Sequence, residues 1–149
     1  VHDVIPTLPD SDRPLLAASL ACFAIAGVAT TAVDGVELTL GATALAIVGV
    51  YGVARYAQSV TRRTLAHTAL GLWLSFIGIA GTHAVGLETI GAVVPGPAAV
   101  TVVVLTAITW ATLLAAAGAT LFLCFREYGS PAPADEQVLD GETSDYSTR

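Results

Sequence analysis

The sequence predicts an all-α membrane protein: four transmembrane helices in an antiparallel up-down bundle, both termini cytoplasmic, with a disordered acidic C-terminal tail. Three observations lead there. More than half of the 149 residues are apolar and only 12% are charged, against roughly 25% in an ordinary soluble domain. The charges are gathered at intervals, leaving uncharged runs at 14–33, 38–54, 64–87 and 89–125. The arginines beside those runs occupy alternate ends of them, as the ends on one side of a bilayer must alternate along the chain.

A hydrocarbon core about 30 Å thick takes about 20 residues of helix, with a tolerated range of roughly 17 to 25. Each uncharged run reaches that length. Residues 1–13 form a short cytoplasmic arm, and the transmembrane domain spans 14–126. Span one covers about 14–33 and opens on Pro14, which is tolerated in a first turn because its missing N–H has no helical partner there. Its leader is acidic and its apolar run is long for a secretory signal, so it is expected to stay in the mature chain. Span two, about 36–56, follows after so few residues that the pair must form a hairpin. Span three covers about 64–85. The connection at 86–97 holds Gly86, Gly91, Pro95, Gly96 and Pro97, a breaker-rich stretch read as a loop. Span four, about 98–125, is longer than the hydrocarbon layer and implies tilt or a protruding end. The last segment, 127–149, carries six acids and hardly any large apolar side chains, a composition that cannot sustain a core.

Orientation rests on Arg13, Arg55, Arg62, Arg63 and Arg126, which flank the spans on one side, whereas the two opposite connections hold no arginine. Arginine and lysine near span ends favour the cytoplasm, so the expected location is the cell membrane, multi-pass. Six arginines, no lysine and twelve acids give a net charge of −6. In composition this resembles proteins of extreme halophiles, and a halophilic archaeon is the expected source.

Small residues recur on the helices. Ala107, Ala111, Ala115 and Ala119 in span four stand four apart and form one ridge, and small residues at this spacing let helix backbones approach closely in lipid. Ala18, Cys22, Ala26 and Thr30 repeat the pattern in span one, and Ala42, Ala46 and Ala54 repeat it more weakly in span two. Packing within the bundle is the plain reading, and a self-association face is the sharper one.

His67 and His83 lie on span three, and ionisable groups within a membrane span are functional candidates. They stand 16 residues apart, or about 24 Å along a helix, too far to share one metal or haem. Each would need an axial partner elsewhere, and the plain reading is a pair of neutral histidines near the interfaces. Threonines in the spans could line a polar path, although a threonine hydroxyl in a membrane helix commonly bonds back to the preceding turn. Trp73 and Trp110 fall mid-span and are read as packing residues, with a pigment or lipid contact as the alternative. Tyr51 and Tyr56 are read as interface anchors. Cys22 and Cys124 show no ligand spacing.

No phosphate-binding loop, dinucleotide fingerprint or hydrolase motif occurs, so enzymatic activity, a bound cofactor and nucleic-acid binding are not expected. The leading expectation is a structural or accessory subunit of a membrane assembly, either a homo-oligomer or part of a larger complex, with an archaeal virion or provirus component as one version. A small oligomeric transporter or channel is the alternative from another class. A haem-binding respiratory subunit using His67 or His83 is the third.

Overall fold

The computed structural model describes residues 12–32 and 35–129. They form five helices: α1 Asp12–Ala32, α2 Val36–Ser59, α3 Arg62–Val85, α4 Leu87–Val93 and α5 Ala98–Tyr128. Four of these, α1, α2, α3 and α5, are long and apolar enough to cross a membrane. Most of the N-terminal arm and the acidic tail from residue 130, which the sequence predicts to be disordered, lie outside the described residues.

The helices run past the apolar boundaries because local capping, not hydropathy, ends them. α2 continues through Arg55 and Gln58 to Ser59, and α3 begins at Arg62, so only Val60 and Thr61 join them. Thr61 caps α3, its hydroxyl oxygen accepting from Thr64 N–H at 3.2 Å and satisfying one of the donors that a first turn leaves free. Pro14 falls in the first turn of α1 behind Asp12, where its lack of an N–H removes no helical bond.

The 86–97 connection is the clearest departure from the sequence reading, because it holds the seven-residue helix α4. Gly86 adopts φ +100°, a conformation open to glycine and strained for other residues. It ends α3 at Val85 and lets α4 begin at Leu87. The Pro95–Gly96–Pro97 turn then starts α5.

Close contacts fix the directions. Phe23 lies against Gly49 and Ser19 against Gly52, so α1 and α2 are antiparallel. Trp73 meets Thr120 and His83 meets Thr109, so α3 and α5 are antiparallel too. Gly118 faces Val53 and Arg126 reaches Ala57 and Val60, so α2 and α5 run the same way. α5 is the common partner of the other helices. Trp110 packs on Gly27, twelve residues into α5 and five before the end of α1. The start of α5 therefore stands about 10 Å beyond the α1–α2 hairpin along the axis. α4 lies beside that projecting part, with Gly91 against Ala98.

The core is made of small residues with a few large ones set among them. Phe23, Val53, Tyr56, Ala57, Leu65, Ala69, Ala111, Ala115 and Ala119 form one buried cluster. Phe23, Val53 and Leu65 are fully enclosed. Where glycine lies opposite a bulky side chain, the backbones close on it: a Cβ at Gly49 would come 2.5 Å from a Phe23 ring carbon.

Candidate functional site

The arginines come together at one end of the bundle. Arg13 opens α1, Arg55 lies in the last turns of α2, Arg62 and Arg63 open α3, and Arg126 is near the end of α5. The helix directions bring these ends to the same side. Two of them also join helices. Arg126 Nη1 donates to Ala57 O and Val60 O, each at 2.9 Å, where α2 leaves its last carbonyls unpaired and its dipole is negative. Arg62 forms an ion pair with Glu127, tying the start of α3 to the end of α5. The spacing of the arginines carried no sign of either role. The opposite end carries Glu37 and Glu88 among the described residues.

Ala111, Ala115 and Ala119 lie in the buried cluster with Phe23 of α1 and Leu65 and Ala69 of α3, while Ala107 is half-buried and lines a groove with Ala24 and Val28 of α1. A second small face of α5 runs through Thr109, Thr112, Ala116 and Thr120, and its two ends bond to α3. Trp73 Nε1 donates to Thr120 Oγ1 at 3.0 Å, and His83 Nε2 lies 3.0 Å from Thr109 Oγ1.

On α1 the buried face shares only Ala26 with the ridge the sequence suggests. Ala18 and Thr30 are exposed, whereas Ser19, Phe23, Ala26 and Gly27 are buried. Phe23 decides this: it has the largest apolar surface to bury there, and Gly49 provides the room. Tyr56 also departs from its reading as an interface anchor, being buried. Its hydroxyl meets Thr68 Oγ1 at 2.9 Å, and because Thr68 gives its own proton to Thr64 O at 3.0 Å, Tyr56 is the donor. Tyr51 is exposed.

His67 and His83 are both exposed, and the fold does not bring them together. Among the described residues no three histidine, cysteine or acidic side chains come close enough to hold a metal ion. The threonine hydroxyls of the spans are mostly turned back on their own helices: Thr30, Thr31, Thr43, Thr82, Thr109, Thr112 and Thr120 all bond to carbonyls three or four residues earlier.

One face carries small residues that the bundle does not use. Gly71, Gly78 and Gly81 of α3 have open space where a side chain would stand, and Leu70, Leu74 and Ile77 beside them are exposed. Gly71 and Gly78, one heptad apart, differ by only about 20° around the helix. The sequence signal for this face was present, three glycines at helical spacing in one span, but the more regular alanine ridge of α5 overshadowed it. Comparison of the chain with protein-family models, curated proteins and solved structures found no match.

Proposed function

We propose that this chain is a small four-span membrane protein, with both termini in the cytoplasm, that serves as a structural or accessory subunit of a membrane assembly. It joins a second copy or a larger complex through the outward face of α3. The observation that carries this reading is the contrast between two sets of small residues. The alanines of α5 are occupied inside the bundle, while the glycines of α3 meet nothing. A glycine inside a helix costs about 1 kcal/mol relative to alanine and offers lipid no side chain. Its use in a membrane helix is to let another backbone come close.

The arginine end supports the orientation, since arginines near span ends favour the cytoplasmic side. The acidic, lysine-free composition supports a halophilic archaeal source, in whose salt the charges of the arginine end are strongly screened beyond about 3 Å at 1 M.

Gly78→Leu tests the assembly, because the position is open and the variant has no internal clash to confound it. The expected result, on electrophoresis or light scattering in mild detergent, is loss of the oligomer with the thermal stability of the monomer retained. An oligomer that survives Gly71→Leu and Gly78→Leu together, or a wild-type protein that is monomeric and captures nothing, removes this reading.

A further inference from the structure

We propose that the cleft between α1, α2 and α5 binds a flat, membrane-dissolved, carbonyl-bearing ring of the quinone class. The cleft has a volume of about 410 Å³, within the range of roughly 300 to 1,000 Å³ in which proteins hold small molecules and at the end suited to a single ring. It exists because α1 and α2 present small side chains there, among them Ala26, Ala42 and Ala46, while α5 contributes the Trp110 indole. An apolar wall with an aromatic face suits a planar apolar body.

The polar groups restrict the chemistry further. Thr30 and Thr43 line the cleft, but their protons go to Gly27 O at 2.8 Å and Thr39 O at 2.7 Å. Their oxygens can therefore only accept. The Trp110 indole N–H differs: it makes no hydrogen bond with the described residues. No buried side-chain nitrogen is left unsatisfied among them, so that N–H is accessible on a residue lining the cleft. Trp73 bonds to Thr120, which leaves Trp110 as the indole without a partner among the described residues. Trp110 packs on Gly27, five residues before the end of α1, about 8 Å below it. In the four-span reading that depth is hydrocarbon, where water is scarce and an unmet donor is costly. A hydrocarbon chain would leave the N–H unmet, whereas a ring carbonyl would accept from it.

The test uses the full-length protein in mild detergent and two probes with the same ten-carbon tail, a benzoquinone and decylbenzene, measured by equilibrium binding. The expected result is saturable, one-to-one binding of the quinone, weakened about three- to tenfold by Trp110→Phe, which removes one hydrogen bond. Decylbenzene should bind more weakly and be indifferent to Trp110→Phe. Ala46→Leu, which fills the cleft, should abolish quinone binding, and Thr43→Leu at the exposed rim gives a second filling variant if the first fails to fold. Quinone uptake that is unsaturable, or equal in wild type and the filled variants, overturns the proposal. So does a cleft in which a phospholipid with brominated acyl chains quenches Trp110 fluorescence and quinone does not displace it.

Discussion

Trp73 of α3 donates its indole N–H to Thr120 Oγ1 of α5 at 3.0 Å, and Thr120 passes its own proton to Ala116 O at 2.8 Å. The pair joins α3 to α5 between the His83–Thr109 hydrogen bond and the Arg62–Glu127 ion pair. Side-chain hydrogen bonds between membrane helices average about 0.6 kcal/mol and reach about 1.7 kcal/mol. Trp73→Phe and Thr120→Val should each lower stability by about 1 kcal/mol, and the double variant should lose less than their sum. Reversible unfolding in mixed micelles measures the cycle. Strict additivity would show that the bond contributes nothing.

Arg126 caps α2 by donating to Ala57 O and Val60 O. Hydrogen bonds from a charged donor contribute about 1.5 to 3 kcal/mol, and solvent at this end of the bundle reduces that. Arg126→Ala should cost about 1 kcal/mol, with faster hydrogen exchange concentrated in the last turn of α2. Exchange that speeds up evenly along the chain, or nowhere, would remove the capping role.

Gly49 provides the space that Phe23 fills. Gly49→Ala places a Cβ against the ring, and overpacking of this kind costs about 1 to 3 kcal/mol. Phe23→Leu alone should also destabilise, while adding it to Gly49→Ala should recover part of the loss, the non-additivity expected of residues in contact. Thermal unfolding in detergent of the four proteins decides the point, and a double variant no better than Gly49→Ala alone would contradict it.

Ala115 is fully enclosed, so Ala115→Leu should cost about 1 to 3 kcal/mol of monomer stability before any effect on assembly appears. Gly78→Leu should show the reverse order. If both variants lose the oligomer and neither loses monomer stability, the alanine ridge belongs to an interface between subunits.

The four long helices were legible because lipid imposes an uncharged run of fixed length, and nothing subtler is needed to read one. Their ends were not, since Thr61 rather than the apolar boundary starts α3, and Gln58 and Ser59 remain helical. α4 was hidden by Gly86, Gly91 and Pro95, which read together as a loop although only Gly86 adopts the conformation that ends α3. The core contacts were half legible. Gly49, Gly52, Val53 and Tyr56 fall at spacings of three and four and mark one face of α2, yet which side chain each glycine receives depends on the neighbouring helix. Tyr56 at a span end suggested the interface, and only the position of Thr68 on α3 shows why it is buried. That the Trp110 indole has no partner among the described residues could not be read at all, because a donor's lack of a partner is a tertiary fact.

The central claim, four crossings with the arginine end inside the cell, is tested most directly by labelling single cysteines in intact cells with a membrane-impermeant maleimide. In a background of Cys22→Ala and Cys124→Ala, cysteine is introduced by Thr89→Cys at the acidic end and by Arg63→Cys or Gly129→Cys at the arginine end. The expected result is labelling of Thr89→Cys from outside, and of the other two only after the cells are opened. Labelling of Gly129→Cys or Arg63→Cys in intact cells, with Thr89→Cys protected, would contradict the orientation, and labelling of Arg63→Cys and Thr89→Cys together would contradict the crossing of α3.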